Sequence, residues 1–414
     1  RLLDDDGREM VLEKNRDLAA SGLRVLALAA GTVEEPTEAA LQGLSLLGLV
    51  GMIDPAAPGV KETIRTFREA GIRTIMLTGD QRLTAEAIAR DLGVLEPGDE
   101  TIDGREFDRL SDDELIERVE RVGVYSRVSP DAKLRIISAL REKGEIVAML
   151  GDGVNDAAAL KRADIGVAMG RRGTDVAKEA SAVVLQDDRF PTIGAAVEEG
   201  RVVFSNIRKF VCYLFSCNVA EVLVLLLAGV AGLPLPLLPL QILWLNIVTD
   251  TFPALSLALE PSDPDIMRRP PRDPHEAILS AWFTRRILFF SALITVSTLA
   301  AFGWGLAGSG QGIGHAVTLS FMTLALAQIF HLGNARSTKP VLTPARIRAN
   351  PWAAGAVALT VGLQLLAVYW PPLAGTLRLE PLKSLDWLVV APLSLLPLLV
   401  GQAVAAVRGR RSRR

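Results

Sequence analysis

Charge is missing from half of this sequence. Of its 414 residues, 1–209 are rich in Asp, Glu, Lys and Arg, whereas 210–407 are almost stripped of them. Soluble cores do not need so long an uncharged stretch, so the chain divides into a water-soluble half and a membrane half. Net charge is lacking too: 45 Lys and Arg against 47 Asp and Glu leave −2. A nucleic-acid partner needs a basic face, and this balance argues against one. Cysteine is scarce. Cys212 and Cys217 open an apolar run at a spacing that fits neither a zinc site nor a disulfide framework, and they read as packing residues. The three histidines, His275, His315 and His331, are scattered and compose no metal site. A signal peptide is lacking as well. The chain opens at Arg1, inside a helical pattern spanning Arg8 to Leu28, and so reads as truncated.

What fills the uncharged half is six apolar stretches, roughly 210–230, 237–258, 287–306, 315–333, 351–371 and 387–407. About twenty apolar residues cross the hydrocarbon core as a helix. Pro234, Pro236 and Pro239 separate the first pair. One set of connections carries Arg268, Arg269, Arg272, Arg336, Lys339, Arg346, Arg348 and the tail from Arg408 to Arg414; the other carries only Arg378 and Lys383. Basic loops stay inside, so the first set and the soluble half are expected to be cytoplasmic, with both ends of the six-span array on that side. The arginine tail sits against anionic headgroups.

Between Phe210 and Leu259 the charged residues are Glu221 and Asp250. A charge at membrane depth costs about 2.5–3.5 kcal/mol on the most lenient scale. Glu221 falls about 16 Å into its helix by helical rise, near the midplane. Asn218 precedes it on the same face, and Asn246, Thr249 and Asp250 share a face of the next span. Two carboxylates, two amides and a hydroxyl form a hard-oxygen set of the kind calcium takes, without the thiolates or histidine pairs that zinc and copper prefer.

The soluble half alternates short apolar runs with helical patterns. Strands are expected at Leu46–Ile53, Thr74–Leu77, Val124–Val128, Ile146–Leu150, Ile165–Met169 and Ala182–Leu185, with helices at 59–70, 82–92 and 131–143. That alternation predicts a parallel sheet covered by helices on both faces, with ligands beyond the carboxyl ends of its strands. Polar clusters fall at those ends: Thr78-Gly79-Asp80 in one place, Gly151-Asp152-Gly153-Val154-Asn155-Asp156 in another, with Lys133 opening a helix after Ser129-Pro130. Together they supply a hydroxyl, a cation and a magnesium-binding carboxylate around one phosphoryl group.

Thr78-Gly79-Asp80, the run from Asp152 to Leu160, and Asp54-Pro55 resemble the signatures of P-type ATPases, in the haloacid-dehalogenase superfamily. The resemblance covers nearly the whole chain and is nearest to sarcoplasmic-reticulum-type calcium pumps. It implies a Rossmann-like α/β haloacid-dehalogenase domain followed by an all-α domain of six transmembrane helices. Residues 1–45 correspond to the end of a nucleotide-binding domain, 46–195 to a phosphorylation domain and 196–414 to spans five to ten. By the same resemblance Thr78 binds a phosphoryl oxygen, Lys133 neutralises charge, Asp152 holds Mg2+ and Asp156 supports that site. The set facing ATP and its phosphates is Asp54, Thr78, Gly79, Asp80, Arg127, Lys133 and Asn155. Asn218 and Glu221 match ion ligands of the fifth span, and Asn246, Thr249 and Asp250 those of the sixth. Gln328 stands where the eighth span of the sarcoplasmic-reticulum pump has glutamate. A sodium–potassium pump has a carboxylate where Asn246 stands, which favours calcium. The resemblance thus implies ATP-driven calcium export through an aspartyl-phosphate. The helix at 196–212, continuous with the fifth span, would carry movement to Asn218 and Glu221.

Three departures qualify the match. The Asp-Lys-Thr-Gly-Thr acceptor segment, the Thr-Gly-Glu actuator loop and the fourth-span ligands are not in the 414 residues. The isolated chain is therefore expected to be inactive, its partners being the bilayer, ATP, the cation and a missing N-terminal part. Asp54-Pro55 is followed by Ala56-Ala57 where the family has arginine, and Gln328 brings no charge, leaving one or two ions open. The alternatives are a pump for manganese, sodium or protons, a membrane-anchored phosphatase of the haloacid-dehalogenase type, and a non-catalytic remnant. Composition rich in Ala, Leu and Arg points to a bacterial plasma membrane.

Overall fold

The computed structural model describes residues 5–32, 44–53, 55–308, 312–337, 340, 341 and 343–411. It comprises two compact units, Arg1–Glu198 with Asp265–Pro271, and Glu199–Pro264 with Arg272–Arg414.

The first unit begins with α1 (Asp5–Ala20) and an antiparallel ribbon of β1 (Arg24–Ala30) and β2 (Ser45–Met52). The helical pattern expected to run to Leu28 stops eight residues early. Gly22 adopts φ 81°, and Leu23 N turns back to Leu18 O at 3.2 Å, a helix end that only a residue tolerant of positive φ closes easily. Among the described residues β2 pairs with β1 alone, so the expected strand at Leu46–Ile53 lies outside the parallel sheets.

The rest of this unit alternates as α2 (Val60–Glu69), β3 (Met76–Thr78), α3 (Arg82–Leu92), β4 (Glu100–Asp103), α4 (Gly104–Phe107), α5 (Asp112–Arg118), β5 (Val122–Ser126), α6 (Pro130–Glu142), β6 (Ala148–Gly151), α7 (Ala157–Arg162), β7 (Ile165–Met169), α8 (Asp175–Ala180) and β8 (Val183–Leu185). All pairings here are parallel, in two three-stranded sheets ordered β3-β5-β4 and β6-β7-β8. β5 is buried at every position, as a strand covered on both faces must be. α6 ties the sheets together: Ile136 packs with Ile102, Phe107 and Tyr125, while its neighbour Ile137 packs with Met149, Leu160 and Ala168.

The second unit is helical. It takes in α9 (Phe190–Val230) from Glu199 on, α10 (Pro239–Leu245), a π turn at Asn246–Asp250, α11 (Thr251–Ala258), α12 (Ala281–Gly308), α13 (Ile313–Arg336), α14 (Pro344–Ala349), α15 (Pro351–Tyr369), α16 (Pro371–Leu377) and α17 (Trp387–Arg411). Among the described residues, six helical segments are long and apolar enough to cross a membrane, the second being α10, the π turn and α11 in succession. α13 is central and buried along most of its length, whereas Val222, Leu226, Leu243 and Leu255 point outward from their helices, as lipid contact permits. α12 and α13 pack antiparallel. Gly305 lies against Ala316, and the Phe290 and His331 rings meet at 4.5 Å. Near one end of this unit, buried Arg336 and Asn350 both donate to Glu260 Oε2, at 2.9 and 2.7 Å.

Candidate functional site

Two groups of side chains were expected to carry chemistry, and each lies within one unit. In the first, β3 ends at Thr78, which pairs in register with Ser126 at the end of β5. Thr78 Oγ1 donates to Asp80 Oδ2 at 3.0 Å and accepts from Asp80 N at 3.1 Å, which closes a tight loop with Gly79 exposed at its tip. Arg127 follows β5 with φ 53°, a left-handed conformation uncommon outside glycine, and its side chain is exposed.

Lys133 is placed by a well-formed helix start. Ser129 accepts from Ala132 N at 3.2 Å, and Pro130 occupies the first turn, where its missing N–H costs nothing. Lys133 Nζ then reaches Asp156 Oδ1 at 2.6 Å, and Asp156 Oδ2 accepts from Gly153 N at 3.3 Å. Gly151 makes this possible: a Cβ there would lie 2.7 Å from Asp156 Cβ. Asp152 has its main-chain oxygen bound by Thr174 N at 2.9 Å, and its carboxylate is exposed, as is Asn155. The structure thus brings Lys133 to Asp156 and Thr78 to Asp80. An exposed carboxylate beside a glycine-rich strand end suits Mg2+, which keeps several waters and takes one or two protein oxygens. Asp54 lies outside the described residues.

The second group gathers between α9, the π turn and α13. Glu221 is 4% exposed, Asp250 7%, and Thr249 and Gln328 are fully buried, so these carboxylates are largely shielded. Gln328 Nε2 donates to Glu221 Oε1 at 2.8 Å, and Thr249 Oγ1 lies within donating distance of Gln328 Oε1 at 3.1 Å. Asn218 Nδ2 donates to Asp250 Oδ2 at 3.2 Å, while Asp250 Oδ1 is buried with no hydrogen-bond partner among the described residues. Asn246 is half-buried at the start of the turn. Three segments therefore bring carboxylate, amide and hydroxyl oxygens into one neighbourhood. An orphaned carboxylate oxygen there is what a cation-binding cluster would present.

Pro253 helps to explain the turn. In a regular helix the carbonyl of Thr249 would accept from the N–H of residue 253, and proline has none. Tyr213 of α9 fills that place: its hydroxyl donates to Thr249 O at 2.7 Å. Tyr213 in turn stacks on His331, with ring centroids 6.1 Å apart. Sequence reasoning passed over Tyr213 and weighed His331 only as a metal ligand. The signal available was a proline four residues beyond a polar position inside an apolar span.

With this geometry in view, known proteins give a consistent match. Residues 6–164 match the haloacid dehalogenase-like hydrolase family, and residues 234–407 match the family described as cation transporting ATPase, C-terminus. The chain is 44% identical over 386 residues to a calcium-transporting ATPase of Bacillus subtilis, covering 92% of this chain and 43% of that protein. The chain belongs to the P-type cation-transporting ATPases. Within this family it is also 38% identical over 406 residues to calcium-transporting ATPase type 2C member 1 of Bos taurus, covering 98% of this chain and 42% of that one. A probable cation-transporting ATPase F of Mycobacterium tuberculosis is 40% identical over 389 residues, 92% of this chain and 43% of the relative. The chain thus spans less than half the length of these relatives. Its α/β part is haloacid-dehalogenase-like, and its helical part makes it a multi-pass membrane protein.

Proposed function

We propose that this chain takes part in ATP-driven transport of calcium across a membrane. The observation that supports this best is the pairing of Glu221 and Asp250. Two buried carboxylates on different helices, linked through Gln328 and Asn218 to their neighbours, would be costly without a cation to neutralise them. Their combined charge matches one divalent ion, and an all-oxygen set favours calcium over softer metals. Relatives that carry calcium in their names support the same reading.

In this reading Thr78 binds a phosphoryl oxygen, with Gly79 and Asp80 shaping its loop. Lys133 neutralises charge as the phosphoryl group moves, and Asp156 holds that ammonium in place. Asp152 would hold Mg2+, which supplies charge neutralisation at the phosphate; Asn155 and Arg127 lie on the exposed rim facing nucleotide, and Asp54 belongs to the same proposed set. Catalysis here is positioning plus electrostatics, since phosphoryl transfer asks little covalent chemistry of the protein. The acceptor segment Asp-Lys-Thr-Gly-Thr is not among the 414 residues, so the phosphorylated carboxylate would come from outside them. Residues 1–45, 46–195 and 196–414 would serve as part of a nucleotide-binding domain, a phosphorylation domain and six spans. The excess of Lys and Arg in one set of loops puts the α/β part and the C-terminus in the cytoplasm, of a bacterial cell by composition.

The test is calcium-dependent phosphoenzyme formation by the intact gene product, with manganese as the comparison ion. Glu221→Ala and Asp250→Ala should each abolish calcium dependence; unchanged dependence in both would remove the cation site.

A further inference from the structure

His331 is a buried polar side chain that transport, as described, leaves unused. It is fully buried, and neither ring nitrogen has a partner among the described residues. The ring is parallel to Tyr213 within 11° and leans on Phe290 at 4.5 Å. A phenylalanine would fill that space without burying two unpartnered polar atoms, a penalty that calls for a reason. The reason lies nearby. Tyr213, against which His331 stacks, donates to the carbonyl of Thr249, and the next residue is Asp250, whose Oδ1 is buried and also without a partner. An unpartnered imidazole thus packs on the tyrosine that binds the residue next to an acceptor lacking a donor. Gln328, one turn along α13 from His331, already touches the same cluster through Glu221 and Thr249.

We propose that His331 is a positioning residue for the cation-free state: when the cation leaves, an imidazole N–H donates to Asp250 Oδ1 and stands in for the lost ligand. The inference rests on the transport reading above. It needs no change of protonation, because a neutral imidazole has one N–H to give. It makes a thermodynamic demand opposite to that of a packing wedge. Losing a contact made only without the cation should tighten cation binding and slow the steps that need an empty site. Losing a wedge that braces the turn should weaken binding instead.

The experiment uses the intact gene product and reads two quantities, the calcium concentration for half-maximal phosphoenzyme and the steady-state turnover. His331→Phe should lower the first and reduce the second, each by roughly tenfold, the size of a lost hydrogen bond to a charged group. His331→Gln, which keeps a donor, should return both towards the parent. His331→Met serves as a second apolar variant if His331→Phe does not fold, as judged by thermal unfolding. The proposal is overturned if the apolar variant binds calcium as the parent does or more weakly, or if His331→Gln behaves like His331→Phe. A parent without any cation-dependent phosphoenzyme would overturn the transport reading and this inference together.

Discussion

Lys133 Nζ stands 2.6 Å from Asp156 Oδ1, a contact between the first turn of α6 and the loop after β6. Both side chains are largely shielded, 21% and 11% exposed, so their attraction is screened less than that of a surface pair. Lys133→Ala is expected to slow phosphoenzyme formation by about 100-fold or more, the usual size for loss of one preorganised electrostatic contact. Lys133→Arg should recover only part of this, since a planar fork does not reproduce a point charge. Rapid-quench phosphorylation of the intact gene product measures both.

In the proposed cation cluster, Gln328 gives an N–H to Glu221. Gln328→Glu would replace that donor with a third carboxylate. Without cation the variant should unfold at a lower temperature than the parent, because like charges then face each other in a buried site. Calcium should raise its unfolding temperature by more than it raises that of the parent, through mass action on the folded state. Thermal unfolding with and without calcium reads the difference, and equal calcium-induced shifts would count against Gln328 as a cluster member.

Tyr213 supplies the hydrogen bond that Pro253 cannot. Tyr213→Phe keeps the ring against His331 but leaves the Thr249 carbonyl buried and unpartnered, costing about 1–3 kcal/mol. The π turn should loosen, and half-maximal calcium should rise several-fold. Replacing Tyr369, which donates to Leu382 O instead, should leave calcium affinity alone.

Glu260, Arg336 and Asn350 form a buried cluster away from these sites, with the acid and the guanidinium about 10% and 9% exposed. Arg336→Met strands the Glu260 carboxylate and should cost about 3–5 kcal/mol of stability. The double replacement with Glu260→Gln should regain a good part of it, and denaturant unfolding of the four proteins closes the cycle.

A pH prediction concerns α3. Burial would raise the pKa of Glu86, but the Arg82 hydrogen bond and the charges of Arg82 and Arg90 outweigh it and hold the carboxylate below its ordinary 4.5. A depressed folded pKa means that the contribution is present above 4.5 and is lost as pH falls through the folded value. Glu86→Gln should therefore lower the unfolding temperature at neutral pH while flattening the acid limb below about 4.5. An unchanged acid limb would mean that the pair contributes nothing to stability.

Much of this was legible in the residues. The six spans were readable because absence of charge over a helical length is a signal that packing does not override. Thr78, Lys133 and Asp156 could be placed at strand or helix ends because Gly, Pro and Ser punctuate those ends. β2 was expected as a strand, but its partner β1 was misread because Arg8–Leu28 keeps a helical period past Gly22, and one glycine decides the chain's course there. β4 was missed since Glu100–Asp103 has few apolar residues and owes its place to pairing with β5. The π turn and the Tyr213 contact were hidden for another reason. A missing N–H at Pro253 says that a carbonyl needs a partner, but only the fold says which side chain arrives.

That turn at Asn246–Asp250 separates two things a spanning segment encodes. Removing one of its residues would shorten the segment by only about 1.5 Å, too little for the lipid or the insertion machinery to register. A turn that holds one extra residue can give it up and close as regular α-helix, so the flanking segments would keep their faces and only the side chains within Asn246–Asp250 would be re-aimed. The span would keep its length and its packing faces, yet the oxygen-bearing side chains proposed to meet the cation would no longer point together.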